Sequence, residues 1–426
     1  MIQESLDFIE QNLKAEISAE ELSARSGYSS THYCRLFLSA VGIPIQRYIA
    51  KRRLLWAAYG IANGKKQIDA ALEYGFDTSA GFYKAFMREF GCSPSYYARR
   101  FRARKPYRVN LLKEERLMIT HKKVSKLLEN WGLQGETVSA VILSAGLISE
   151  NTFRIGDKYI LKALTSLGAI KKSAEISRLL YAKGLSQAEM MKTKDGMDYA
   201  EDGEVYYTLT PKIDGEPISA REMYDENAPI TGETLGEIIG RLHLALESAD
   251  IIVCNESNLL KEALDSLPAA KRFAGLSDSF CDDFTNAAAG FDGKLPVKII
   301  HRDINPGNIL FKNGRLAGFI DFDLSQRGIR LFDACYAATA ILSESLDIGA
   351  DEKMEKWTEI YRGIIRGYDK TVRLNDAEKR AAAYVLFSIE LICTAYFAGL
   401  EKYEELAQTN ARMLRWMAAN KERLSF

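Results

Sequence analysis

The segment His301-Arg302-Asp303-Ile304-Asn305-Pro306-Gly307-Asn308-Ile309-Leu310-Phe311, followed by Ile320-Asp321-Phe322-Asp323, sets an Asp five residues ahead of an Asn. A further Asp stands directly after an apolar strand. Metal-assisted phosphoryl transfer needs this order of groups, with one carboxylate to orient the attacking hydroxyl and take its proton, and an amide oxygen and a second carboxylate to hold magnesium on the phosphates. Asp303 is the expected general base, and Asn308 and Asp321 are the expected metal ligands and nucleotide-side groups. Any one of these residues alone would read as a cap or a surface acid; the complete string with its flanking apolar residues does not.

Working outward, 426 residues exceed what one core organises, so more than one domain is expected. The chain is neutral overall, with 57 Lys+Arg and 57 Asp+Glu, but residues 1–108 carry 17 basic and 10 acidic side chains, leaving 40 and 47 for the rest. A basic head is joined to an acidic body. The six cysteines are scattered without a CxxC pair, so neither a disulfide framework nor a structural zinc site is indicated, and a cytoplasmic protein fits. Met1 to Ser5 lack the start of a signal peptide. The apolar run Ala381 to Leu400 carries Glu390 at its centre and is read as a buried helix, so no membrane partner is expected.

Within the head a unit repeats at an offset of 48 or 49 residues: Gly27-Tyr28 aligns with Gly75-Phe76, Phe37 with Phe86, Gly42 with Gly91 and Tyr48 with Tyr97. Each unit reads as helix, glycine turn, helix. Ser18-Ala19-Glu20-Glu21 caps the first helix, and Tyr48 to Asn63 forms a helical connector closed by Asn63-Gly64. A helix-turn-helix lays its second helix in the major groove. Thr31, His32 and Arg35 are the outward candidates in the first unit, and Ser79, Lys84 and Arg88 in the second, with Tyr33, Phe37, Phe82, Phe86 and Phe90 packed. The basic runs Lys51-Arg52-Arg53 and Arg99-Arg100-Arg102 suit phosphates or simple solvation.

Phe101 to about Arg116 reads as a linker. Beyond it Val138 to Leu143, Thr152 to Ile155, Tyr159 to Ala163 and Glu204 to Thr210 read as strands, and Ser173 to Lys183 as a helix. Helices dominate after Thr231. A small β-rich lobe followed by a larger helical lobe is the implied layout.

In Glu73-Tyr74-Gly75-Phe76, Phe82-Tyr83-Lys84-Ala85-Phe86 and Phe90-Gly91-Cys92-Ser93-Pro94-Ser95-Tyr96-Tyr97 the head resembles the AraC/XylS family of transcriptional regulators. The resemblance covers residues 1–104 and implies a seven-helix, all-α domain whose two helix-turn-helix units read adjacent major-groove segments of an operator in double-stranded DNA.

The string around Asp303 resembles the aminoglycoside phosphotransferase and choline kinase group, over residues 121–420. That implies an α+β, two-lobed, protein-kinase-like fold, ATP or GTP as phosphate donor, Mg2+, and a small-molecule hydroxyl acceptor. It also implies roles for further residues. Lys162, in Tyr159-Ile160-Leu161-Lys162, looks like the strand lysine that pairs with nucleotide phosphates, with Glu175 as its partner. Ser144 to Thr152 stands where the group has its phosphate-covering hairpin, without G-x-G-x-x-G; Tyr207 to Gly215 resembles the adenine hinge, and Gly240 to His243 the helix before the catalytic loop. Asp333 matches an acid that supports the catalytic segment.

The group usually shows His-Gly-Asp, whereas this chain has His301-Arg302-Asp303. Asp323 replaces the Gly of Asp-Phe-Gly and reads as a supporting group or a further ligand. Domains are expected at 1–104 and 121–426 around a linker at 105–120, with a homodimer among the arrangements left open. Two functions fit: a regulator carrying a working small-molecule kinase, or one whose kinase fold serves only as a ligand sensor.

Overall fold

In a computed structural model the described residues are all except 1, 42–43, 91, 101–104, 107–120, 143–147, 204, 225–226, 248–255, 347–350 and 401–402. Most of the expected linker, and Ser144 to Leu147 of the expected phosphate-covering hairpin, lie outside them. The chain is multidomain and divides into two compact units, one formed by residues 1–165 and 191–212, the other by 166–190 and 213–426. The later division, at 212 and 213, falls inside the segment expected as a hinge.

The first unit begins with seven helices, α1 (Ile2–Gln11), α2 (Ala19–Arg25), α3 (Ser30–Val41), α4 (Ile45–Ala62), α5 (Gln67–Glu73), α6 (Ser79–Phe90) and α7 (Pro94–Arg100). The repeat is structural as well as sequential. Gly27 and Gly75 sit at φ +70° and +75°, the left-handed region that glycine enters without penalty. After each, the next residue donates its N–H five residues back, Tyr28 to Ser23 O and Phe76 to Ala71 O, closing the same C-terminal cap twice. Ser18 Oγ accepts the Glu21 N–H at 3.0 Å and opens α2 as anticipated. Tyr33, Phe37, Phe82, Phe86, Phe90 and Tyr97 are buried together in a core of the head's own.

After α8 (His121–Leu127), the strands β1 (Val138–Ile142), β2 (Ile148–Ile155), β3 (Tyr159–Leu164), β4 (Ala200–Asp202) and β5 (Val205–Pro211) form one antiparallel sheet in the order β1-β2-β3-β5-β4. Phe153, Leu161, Tyr207 and Leu209 fill its buried face. The strand expected from Thr152 starts four residues earlier, at Ile148.

The second unit opens with α9 (Leu167–Ala182), which starts six residues earlier than the expected Ser173 because Ser166 Oγ caps it by accepting the Ala169 N–H at 3.2 Å. There follow β6 (Glu216–Pro217), α10 (Ala228–Glu247), α11 (Leu259–Ala274), α12 (Asp278–Phe291), β7 (Val297–Ile300), β8 (Ile309–Lys312), β9 (Arg315–Phe319) and β10 (Gln326–Ile329). Helices α13 (Leu331–Ser345), α14 (Asp351–Val372), α15 (Asp376–Ala398), α16 (Glu404–Ala419) and α17 (Lys421–Leu424) complete it. Helices α10 and α14 cross so closely that a Cβ at Gly236 or Gly367 would fall on a carbonyl oxygen of the facing helix, Ile364 O and Glu233 O respectively. Helix α15 is the one helix among the described residues long and apolar enough to cross a membrane, yet most of its apolar window is buried, with Leu386, Phe387 and Leu391 wholly enclosed in the core of this unit. That is the buried helix anticipated from Glu390, which is itself buried.

Candidate functional site

The turn chemistry of the catalytic segment is local. Asn305 caps a single 3₁₀ turn, Pro306–Asn308, by accepting the Gly307 N–H at 2.9 Å, and β8 starts at once. Strand β8 pairs antiparallel with β9 so that Ile309 faces Phe319, and the Ile320 N–H donates to Asn308 O at 3.1 Å. This register sets Asn308 and Asp321 at the same end of one hairpin. The distance in sequence, thirteen residues, is thereby reduced to neighbouring backbone.

Asp333, on the first turn of α13, holds the segment from behind. Its Oδ2 accepts the His301 N–H at 2.7 Å, its Oδ1 accepts the Arg302 N–H at 2.9 Å, and His243 Nε2 lies 2.9 Å from Oδ2. Burial alone would raise this carboxyl, but the hydrogen bonds from His243 and from the His301 backbone hold it below its ordinary value, so it remains an anion with no exposure to water. Tyr368 Oη, from α14, closes the other side of His243 at 2.6 Å from Nδ1.

His301 is fully buried, with its ring 4.5 Å from that of Phe322. Its Nε2 lies 3.0 Å from Ile320 O, and its Nδ1 accepts the Asp303 N–H at 3.3 Å. A neutral ring with the proton on Nε2 satisfies both contacts. Both histidines are buried, and through these bonds they hold the loop in place.

Arg302 adopts φ +69° and Asp321 φ +68°, both in the left-handed region. A backbone at +69° is where glycine costs nothing, which accounts physically for the His-Gly-Asp form. Here the arginine tolerates it, turned toward α11 with Nη2 3.3 Å from Glu262 Oε2.

The Asp303 carboxylate is met by three donors. Asn305 Nδ2 and Tyr336 Oη each donate to Oδ1 at 3.0 Å, and Asn308 Nδ2 donates to Oδ2 at 3.1 Å and to Asp303 O at 2.7 Å. Burial pushes the carboxyl above its usual range, opposed first by the bond from Asn305, and the Asp321 charge adds to the rise. Both amide hydrogens of Asn308 being directed at Asp303, its side-chain oxygen is the atom left for a cation. Hard oxygen donors from one amide and one carboxylate suit Mg2+, which takes its remaining ligands from phosphates and water. No group of three or more His, Cys, Asp or Glu among the described residues is arranged to hold a metal.

Two contributors carry no signal in the sequence. Lys172 of α9 donates its Nζ to Asp323 O at 2.9 Å and to Ser325 O, pinning the segment after Asp321. Tyr336 stands one helical turn after Asp333 on α13. Lys162 lies on β3, paired with Thr152 on one side and Thr208 on the other, in the first unit. Glu175 is exposed on α9 in the second unit.

In the head, Thr31, His32 and Arg35 are exposed on α3, and Ser79, Lys84 and Arg88 on α6, opposite the buried aromatic face. The His32 ring lies 5.2 Å from that of Tyr28. The run Lys51-Arg52-Arg53 is not a phosphate-binding cluster. Arg52 is buried and forms a two-pronged ion pair with Glu10 of α1, and Arg53 donates to Leu13 O at 2.9 Å and Ala15 O at 2.6 Å. The connector α4 uses these guanidinium groups to tie itself to α1 and to the turn that follows α1, a role that a charge run alone does not disclose. Of the other basic run, Arg102 lies outside the described residues.

A buried aspartate bracing a histidine-led loop, an Asp-x4-Asn turn and a following Asp at one hairpin end define a phosphotransferase-type site, joined to a double helix-turn-helix head. The chain belongs to the phosphotransferase enzyme family, whose model matches residues 140–374, and a helix-turn-helix domain model matches residues 22–100. The head is AraC-type: it is 40% identical over 98 residues to the HTH-type transcriptional activator AarP of Providencia stuartii, 73% of that protein's length and 23% of this chain. It is 39% identical over 101 residues to the putative HTH-type transcriptional regulator YkgA of Escherichia coli, covering 42% of that protein and 24% of this chain. The chain thus spans less than half of the latter's length.

Among solved structures, a microcompartment-associated aminopropanol kinase superposes with a TM-score of 0.53 at 17% identity, covering 71% of this chain and 96% of that one. The amicoumacin kinase hAmiN, in complex with AMP-PNP, Ca2+ and Ami, gives 0.52 at 16% identity over 70% and 92%. These similarities show the fold.

Proposed function

We propose that the chain is a sequence-specific, DNA-binding transcriptional regulator, acting in the cytoplasm, whose body transfers the γ-phosphate of ATP to a hydroxyl of a small molecule. The observation that carries the transferase reading is the Asp303 carboxylate held beside Asn308 at the hairpin end that also bears Asp321. Asp303 takes the acceptor's proton as the acceptor oxygen bonds to the γ-phosphorus and the bond from phosphorus to the β–γ bridging oxygen breaks, releasing ADP. Lys162 serves the nucleotide phosphates. Asn308 and Asp321 hold the divalent cation, which when bound neutralises phosphate charge.

The acid Asp333 and the two histidines move no proton. They keep the Asp303 backbone from reorienting, so the base is in place before substrate arrives. In the head, Thr31, His32, Arg35, Ser79, Lys84 and Arg88 meet DNA on two successive major-groove segments. Exposure on the face opposite the aromatic core supports that reading.

The test is ATP consumption by the purified chain with magnesium across kanamycin, choline, glucosamine and serine, with Asp303→Ala as control, alongside binding of a DNA library at fixed salt. Acceptor-dependent turnover absent from the control is expected. Nucleotide binding without turnover would replace the transferase with a sensor, and no sequence preference on DNA would remove the regulator.

A further inference from the structure

The hydrogen bonds on the Asp303 carboxylate are unevenly divided. Each carboxylate oxygen offers about two lone-pair sites. Oδ1 accepts from Asn305 Nδ2 and from Tyr336 Oη, both at 3.0 Å, and is filled. Oδ2 accepts only from Asn308 Nδ2 among the bonds to described protein atoms, at 3.1 Å, and retains one site.

The two donors on Oδ1 come from different places. Asn305 belongs to the loop itself and is occupied by its cap on Gly307. Tyr336 comes from α13, and its ring stacks on Phe332 with centroids 5.5 Å apart and planes 13° apart. The helix that anchors the loop backbone through Asp333 therefore also sends a rigid side chain to its reactive end. A stacked aromatic ring has little rotamer freedom to lose, which makes its hydroxyl a fixed donor.

We infer that Tyr336 is a positioning residue of the phosphotransferase site: with Asn305 it saturates Asp303 Oδ1 and so assigns Oδ2, the oxygen beside Asn308, as the atom that takes the acceptor's proton. The inference rests on the transferase reading above. In the step, the acceptor O–H bond breaks, its proton passes to Oδ2, the new O–P bond forms and ADP leaves with the electrons of the broken P–O bond. Tyr336 touches no reacting atom; it acts by fixing the carboxylate plane. Misplacement of a reacting group by a fraction of an ångström costs about an order of magnitude or more in rate.

The experiment is steady-state kinetics of the full chain with magnesium and ATP, using whichever of kanamycin, choline, glucosamine and serine turns over fastest. Tyr336→Phe keeps the ring stack and removes only the hydroxyl. It is expected to lower kcat about tenfold while the KM values for ATP and acceptor stay within about twofold and the melting temperature is unchanged. Asn305→Ser, which retains a capping oxygen, removes the other donor. The double variant is expected to lose more than the product of the two single losses, since each single variant keeps one donor on Oδ1 and the double variant keeps neither.

An unchanged kcat in Tyr336→Phe, or a rise in KM at constant kcat, overturns the inference while leaving the transferase reading standing. Should Tyr336→Phe melt early, the Asn305→Ser result decides: an unchanged kcat there overturns the inference. A wild-type chain without turnover toward any acceptor overturns the transferase reading and this inference together.

Discussion

The carboxylate of Asp333 accepts the backbone N–H of His301 at 2.7 Å, joining α13 to a loop 32 residues earlier in the chain. Through its other oxygen it also holds the N–H of Arg302, whose backbone is in the left-handed region. One buried anion thus satisfies two peptide groups beside a left-handed backbone, and it keeps its charge because His243 and the loop's own donors surround it.

Replacing that anion tests the arrangement. Asp333→Asn leaves one acceptor oxygen for two backbone N–H groups and turns an amide N–H₂ toward the other, so a buried donor loses its partner. A loss of about 2 to 4 kcal/mol in denaturant unfolding is expected. Stability equal to wild type would show that the loop does not depend on Asp333.

Burial pushes the Glu390 carboxyl up to about 8 from its ordinary 4.5, and its Oε2 has no hydrogen-bond partner in the fold. The folded chain therefore retains a proton that the unfolded chain releases above pH 4.5. Stability from this group is fully present below that value, declines as pH rises and levels off above about 8. Glu390→Gln removes the dependence, and its gain over wild type is expected to grow by about 3 to 4 kcal/mol between roughly pH 5 and 8, at no more than about 1.4 kcal/mol per unit. Parallel stability curves for the two proteins over that range would refute the assignment.

Gly236 faces the backbone of α14 where no Cβ fits, close to both Ile364 O and Tyr368 N. Gly236→Ala must drive α10 and α14 apart, and with them His243 from Tyr368. Overpacking of this kind costs about 1 to 3 kcal/mol, and a backbone neighbour places it at the upper end. The same change at Gly290, where nothing lies within 4 Å of the added carbon, should be neutral or slightly stabilising. Thermal melts of the two variants separate the outcomes, and equal melting temperatures would contradict the close crossing.

Lys84 and Arg88 lie exposed on α6, whereas Phe86 between them is buried. Lys84→Ala or Arg88→Ala should weaken DNA binding with the fold intact. If the lost contact is to phosphate, the slope of log affinity against log salt falls by about one for each residue removed. Binding titrations at several salt concentrations check this, and an unchanged affinity in both variants would move the DNA interface away from α6.

The sequence by itself determined what depends on short-range chemistry. The Asp303 to Asn308 spacing is one capped turn, the position of Asp321 follows from the β8–β9 hairpin, and the two glycine turns of the head follow from a repeat whose φ values only glycine reaches freely. These need only a few consecutive residues, so residue type and spacing carry them. The tertiary structure decided which distant side chains serve those turns. Tyr336, Lys172, Glu262 and Tyr368 have no local pattern, since each is placed by how its helix packs, and the same packing turned Arg52 and Arg53 from an apparent basic patch into braces, Arg52 buried and Arg53 half-buried. A charged residue reads alike in sequence whether it faces water or a buried partner, and burial is a property of the whole fold.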